Sequence, residues 1–256
     1  MKKQHVNLLI LLAKKNFKNS DYHSLLGILW SFIGPAATFV VTYAIFNQRM
    51  GQNISFFPLR LMIAIILISY FTRTCGYIMK FLRGNSQTLL NTNIPFEILL
   101  LSNLFVPSLK FVIELTLCCL VSIFLRILNP SYLPTIVLLS LFFSFFVLGF
   151  GFLLCLLYSL AADIEEIWII GTRLLIFITP VFYTLDMLSD WGRFIVTYGN
   201  PLTPFVLCFQ TFITNQKIPY YDSFETWTLL LGHTGIFFFL GYFLFIKYHK
   251  KLLEVV

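Results

Sequence analysis

A chain of 256 residues that is 58% hydrophobic and 11% charged is too apolar for an ordinary water-soluble domain, in which about a quarter of the residues carry charge. In water it would expose contiguous apolar surface, so lipid is its natural solvent. The net charge of +7 then bears first on membrane topology, and no nucleic-acid partner is expected.

The N-terminal stretch MKKQHVNLLILLAKK imitates a secretory signal. Its apolar run, 6–13, is short, and Lys14, Lys15 and Lys18 follow without a small-residue cleavage pattern. Residues 1–20 are therefore expected to lie uncleaved in the membrane surface as an amphipathic helix. A helix needs about 20 apolar residues to cross the hydrocarbon. Six segments qualify: 24–46, 59–82, 104–127, 133–160, 164–183 and 228–248. In the first, Gly27 and Gly34 share a face suited to close helix packing, and Pro35 is placed to kink the span.

Two connections are long. An inner loop, RGNSQTLLNTNIPFE at 83–97, contains SQTLL, which suits a short surface helix. An outer loop over 184–225 contains TPFVLCFQTFI at 203–213, too short to span but suited to a re-entrant or interfacial helix. With ITPVFY at 178–183 before it, two broken apolar segments meet at the outer face, as anchored surface loops or as the cover of a cavity. Lysine and arginine are in excess on the side holding Lys2, Lys3, Lys80, Arg83, Lys247, Lys250 and Lys251, which places both termini in the cytoplasm. The expected fold is all-α: one membrane domain over 1–256, with six transmembrane helices, the interfacial N-terminal helix, and short re-entrant helices between spans five and six.

No catalytic engine is evident. No glycine is followed by lysine, so a phosphate-binding loop is excluded, and GxSxG and HExxH are missing. The five cysteines and four histidines show no metal-ligand spacing. Asp163, Glu165 and Glu166 admit two readings. As a carboxylate site they suit a membrane-embedded lipid-phosphate or glycan transferase. As structure, Asp163 caps the fifth helix and Glu166 completes a capping box. A third possibility for the chain is a non-catalytic assembly subunit.

Charges inside spans cost roughly 2.5–3.5 kcal/mol each at mid-bilayer, so Arg73, Lys110, Glu114 and Arg173 need partners or a watery path. Lys110 and Glu114 are four apart and can pair. Ser69, Arg73, Gly76 and Lys80 share one side of the second span. That stripe is either a structural ion pair or a route for a polar or anionic substrate. The aromatics are lipid-facing by default. The alternative is a series of rings along which sugars slide, for which Trp30, Tyr43, Tyr70, Tyr77, Tyr158, Trp168 and Tyr183 carry a hydrogen-bonding handle.

In order along the chain, Ser24, Leu26, Gly27, Trp30 and Pro35, then Tyr43 and Phe46, Ile94-Pro95-Phe96, Gly149 and Gly151 before Asp163, Thr179-Pro180-Val181 with Tyr183, and Asn200-Pro201 resemble the pattern of membrane subunits of ABC transporters that export O-antigen, capsule and teichoic acid. The chain departs from it at Ser20 and Asp21, at Ala162, and at Gln210, where arginine or tyrosine is common. The resemblance implies two copies forming a channel and two cytoplasmic ATP-binding cassette subunits, which bind ATP and magnesium so that this chain holds no cofactor of its own. It implies a lipid-linked glycan moving outward across a bacterial inner (plasma) membrane. The inner loop, with Ser86, Gln87, Leu89, Leu90, Asn91, Pro95 and Phe96, would receive the ATPase stroke. Thr179, Pro180, Tyr183, Asn200, Pro201 and Gln210 would form an outer gate. The path candidates are Trp30, Tyr43, Tyr70, Arg73, Tyr77, Tyr158, Trp168 and Arg173.

Overall fold

The computed structural model describes residues 2–21, 30–48, 54–92, 94–216 and 223–253, all regular elements of which are helical. Ser24, Leu26 and Gly27, the start of the first expected span, lie outside the described residues, as does the side chain of Trp30. The ten α-helices are α1 (Lys2–Asp21), α2 (Trp30–Phe46), α3 (Phe57–Met79), α4 (Phe81–Asn91), α5 (Phe96–Phe124), α6 (Leu133–Leu160), α7 (Ile164–Ile178), α8 (Asp190–Phe194), α9 (Thr203–Thr214) and α10 (Ser223–Leu253).

Among the described residues, four helices are long and apolar enough to cross a membrane: Phe57–Met79, Phe96–Phe124, Pro130–Leu160 and Phe224–Leu253. The other two expected spans are shorter. The described part of α2 has 17 residues and α7 has 15, about 26 and 22 Å at the helical rise, against a hydrocarbon core of about 30 Å. α7 stops at Ile178 rather than Tyr183 because Pro180 forces Thr179 into extended backbone, φ −87° and ψ 144°.

α3 is the axis of the fold, in contact with α2, α4, α5, α6, α7 and α9. Its N-terminal end, near Arg60, and its C-terminal end, near Lys80, define two ends of the bundle. Tyr43 stacks on Phe57 while Pro35 and Phe39 reach Met62 and Ile66, so α2 runs antiparallel to α3. Phe71 meets Phe146 and Gly151 meets Ile78, so α6 runs parallel to it. Phe96 at the start of α5 and Glu165 near the start of α7 both lie at the Lys80 end, and α10 meets α6 at Gly149–Gly241 and Phe152–Phe245, so α2, α3, α5, α6, α7 and α10 alternate in direction.

Two glycines of α6 let its neighbours in. They are two positions apart, about 200° around a helix, so they face opposite sides. A Cβ on Gly149 would lie 2.3 Å from the carbonyl oxygen of Phe237 in α10, and one on Gly151 would lie 2.6 Å from Ile78 in α3. Gly241 of α10 answers Gly149: its Cβ would lie 2.1 Å from the Gly149 carbonyl oxygen. Of the pair expected to pack closely in the first span, Gly27 lies outside the described residues, and nothing among the described residues comes within 4 Å of a Cβ on Gly34.

The expected inner loop is mostly helix. The chain bends at Lys80 (φ −83°, ψ 0°), and burial of Phe81 and Leu82 turns α4 across the end of the bundle. α5 begins at Phe96, with Pro95 in the N-cap position, not at Leu104. Ser102 and Asn103, just before the expected start of the span, lie inside α5, and Asn103 accepts a 2.8 Å hydrogen bond from Asn16 of α1. α1 lies along α5 with Ala13 buried against it, and turns Val6, Ile10 and Leu11 outward beside exposed Lys14, Lys15 and Lys18.

Candidate functional site

At the Lys80 end, α4 presents one face outward. Gln87, Leu90 and Asn91 are exposed, Leu90 at 59%, whereas Ser86 is half-buried. Leu89 leans with Ile94, Phe96 and Leu12 of α1 onto a buried cluster that includes Phe81, Leu100 and Phe245. Phe96 packs between Phe245 and His249 of α10, and Pro95 starts α5. The residues expected to meet an ATPase therefore divide into an outward set (Gln87, Leu90, Asn91) and a set that seats α4 (Leu89, Phe96). Leu90→Asp is expected to leave the fold intact and weaken binding of any partner that docks on this face. Leu89→Asp, which puts a charge against the apolar cluster, is expected to lower the melting temperature of the chain itself. Thermal unfolding in detergent beside partner co-elution separates the two.

Between the ends, α3 and α7 enclose a cleft of about 380 Å³ lined by Thr72, Arg73, Gly76, Tyr77, Lys80, Glu165, Trp168 and Ile169. It brings together Arg73, Tyr77 and Trp168 from the path candidates. Arg73 Nη2 donates to both Glu114 carboxylate oxygens, at 2.9 and 3.0 Å, and its Nε donates to the Ser69 carbonyl at 3.1 Å. The ionic partner of Glu114 described across helices is thus Arg73, in addition to the nearby Lys110 expected from spacing. Tyr77 is exposed, and Trp168 rests against Phe71 and Phe150.

The other path candidates lie elsewhere. Tyr70 is a core residue, stacked on Phe111 at 4.2 Å with its hydroxyl 3.3 Å from Ser144 Oγ. Tyr43 stacks between Phe39 and Phe57 near the Arg60 end. Arg173 is on the exposed side of α7. Tyr158 faces the Lys80 end, where its hydroxyl donates to Glu165 Oε2 at 3.1 Å.

The acidic trio does not converge. Asp163 is at the N-cap position of α7, but its side chain makes no capping bond, since its backbone is already helical (φ −61°, ψ −17°). Glu165 is held by Lys80 and Tyr158, and Glu166 is exposed. Among the described residues no three carboxylate, histidine or cysteine side chains are grouped to hold a metal. The Lys80–Glu165 pair escaped sequence reading because its members are 85 residues apart. The available signal was that both charges end spans on the same side.

At the Arg60 end the outer-gate candidates form one connected structure. Thr179, Pro180 and Val181 are buried. Asn200 Nδ2 donates to Thr179 Oγ1 at 2.9 Å, and Asn200 Oδ1 accepts from the Leu202 backbone at 3.0 Å. Pro201 follows, half-buried. α9 is buried from Thr203 to Gln210, with Phe205 and Phe209 against Phe143 of α6. Gln210 Nε2 donates to the Arg60 carbonyl at 3.1 Å. Tyr183 donates to the Ile178 carbonyl at 2.9 Å. Beside this core, Trp191, Phe194 and Tyr198 form an exposed aromatic row. The hydrogen bond to Glu225 raises the Tyr198 phenol above its usual range. Asn200→Ala is expected to cost about 1–3 kcal/mol, because it strands the buried Thr179 hydroxyl and Leu202 N–H; calorimetry of the purified chain measures it.

No family model matches the chain. Relatives do. It is 25% identical over 256 residues, 98% of this chain and 95% of the other, to the O-antigen export system permease protein RfbA of Klebsiella pneumoniae. A second Klebsiella pneumoniae protein of that name is 25% identical over 219 residues, 84% of this chain. One from Myxococcus xanthus is 24% identical over 227 residues, again 84%. The likeness to polysaccharide-export permeases, first carried by scattered motifs, extends over nearly the whole chain. With four apolar helices of spanning length, the chain is a multi-pass membrane protein.

Proposed function

We propose that this chain is the membrane subunit of an ABC exporter that moves a lipid-linked polysaccharide out of the cytoplasm, with ATP hydrolysed by a separate subunit. The observation that carries this reading is the match to O-antigen export permeases along 98% of the chain. The fold supports it in three ways. α4 offers an outward face at the same end as the basic α1. A cleft with Arg73, Lys80 and aromatic walls lies along α3 and α7. A buried short helix, α9, closes the opposite end.

In this reading α2 and α7 complete six passes in alternating order, the Lys80 end is cytoplasmic with both termini, and the membrane is the bacterial inner membrane. α9 and the Thr179–Asn200 tie form the outer gate, and two copies make the channel. No nucleotide or magnesium is bound by this chain. The transferase alternative is disfavoured because both oxygens of Glu165 are engaged by neighbours.

The test is recovery of tagged chain from its own host. A soluble ATPase is expected to co-purify in equal amount, and cells lacking the chain are expected to retain glycan inside. A stable chain that holds no ATPase, with surface glycan unchanged on deletion, overturns the reading.

A further inference from the structure

α7 is loosely packed along its length but pinned at both ends. None of its residues is buried, and Trp168 is its main wedge into the core. At its foot the Lys80 ammonium, at the bend between α3 and α4, bonds Glu165 Oε1, while the Tyr158 hydroxyl of α6 bonds Oε2. With both oxygens held from different elements, the carboxylate cannot swing free of either. Arg83 of α4 lies over the Tyr158 ring at 4.7 Å and donates to the Ser159 carbonyl at 3.4 Å. At the top, Thr179 directly follows α7 and is tied through Asn200 to the first turn of α9.

We propose that α7 is a connecting rod: displacement of α4 is delivered through Lys80, Tyr158 and Arg83 to Glu165, and α7 carries it along its axis to Asn200 and α9. In this role Lys80, Glu165, Tyr158 and Arg83 are positioning residues. An exposed ion pair is weak by itself, so the coupling rests on the Lys80–Glu165 pair together with the Tyr158–Glu165 and Arg83–Ser159 bonds. A helix hydrogen-bonded along its length transmits an axial push, and α7, none of whose residues is fully buried, meets the core only through Trp168, Leu175 and Ile176 between its two pinned ends. This inference rests on the proposed function only for the source of the push.

The experiment uses Lys80→Glu, Glu165→Lys and the double exchange in the full chain with its co-purified ATPase. Each single variant is expected to keep ATP hydrolysis but lower surface glycan by about fivefold. The double exchange is expected to restore export to within about twofold. Parental export in the singles, or a double variant no better than they are, overturns the rod. A second arm needs no ATPase. Spin labels at Gln87 and Ile167, both exposed, report the α4–α7 distance in the chain alone in nanodiscs, the five native cysteines being replaced. The single variants should broaden that distance and the double variant should narrow it; an unchanged width in the singles overturns the tether. Failure of the parent to hold an ATPase counts against the export reading, and the label distance still decides for or against the tether.

Discussion

Gly241→Ala and Gly149→Ala are each expected to sharply reduce the yield of folded chain, at a cost of about 1–3 kcal/mol or more. The added methyl would meet backbone, the Gly149 carbonyl oxygen at 2.1 Å in one case and the Phe237 carbonyl oxygen at 2.3 Å in the other. Backbone cannot rotate aside as a side-chain tip can, so α6 and α10 must separate. In lipid no hydrophobic force holds two helices together, and close van der Waals packing takes its place. Parting this pair removes contacts along two long helices. Gly232 and Gly235 on the same α10 are the controls, since nothing lies within 4 Å of a Cβ on either. Their alanine variants are expected to unfold at the parental temperature or slightly above, as alanine favours helix by up to about 1 kcal/mol over glycine. Fluorescence-detected size exclusion after heating reads all four. Equal behaviour of Gly241→Ala and Gly235→Ala would contradict the close approach.

The second large effect is expected at Arg73 and Glu114. Glu114 is 5% exposed, and its carboxylate takes both hydrogen bonds from one Arg73 nitrogen. Arg73→Leu leaves the buried Glu114 carboxylate with only the nearby Lys110, and Glu114→Leu takes the carboxylate from Arg73; breaking a buried pair costs up to about 3–5 kcal/mol. Replacing both with leucine removes the stranded charge and is expected to recover most of the loss. A thermal double-mutant cycle in detergent measures this, and additive losses would show that the two side chains do not stabilise one another. The double variant also separates structure from transport. If it folds and still exports, the pair holds α3 to α5 and no more. If it folds and does not export, the cation along the α3–α7 cleft serves the substrate.

Much of the fold was legible because one physical quantity, hydrophobic length, dominates it. The segments at 59–82, 133–160 and 228–248 appear as α3, α6 and α10 with modest shifts of their ends. Errors arose where polar residues sit inside helices. The third span was expected from 104, just past Ser102 and Asn103, yet α1 satisfies Asn103 and α5 runs through it. The bend at Lys80 was invisible because α3 and α4 form a continuous apolar-polar run. α9 was legible as a short apolar piece, but not its full burial against Phe143 and Phe146.

The candidate site was legible in kind more than in arrangement. The Thr179-Pro180 step was recognisable as a break, because proline ends helices whatever surrounds it, whereas Asn200-Pro201 came from the resemblance alone. That Asn200 bonds Thr179 follows only from the chain returning over 21 residues.

Composition and hydropathy were enough to mark this chain as one that lives in lipid and to pick out the four segments that form helices of spanning length, because transfer from water depends on residue type and run length rather than on partners. Partnership was decided by packing. Glu114 meets Arg73 across 41 residues, Lys80 meets Glu165 across 85, and Gly149 rather than Gly34 admits a neighbouring backbone. Each depends on which helix faces sit side by side, and no local spacing encodes that.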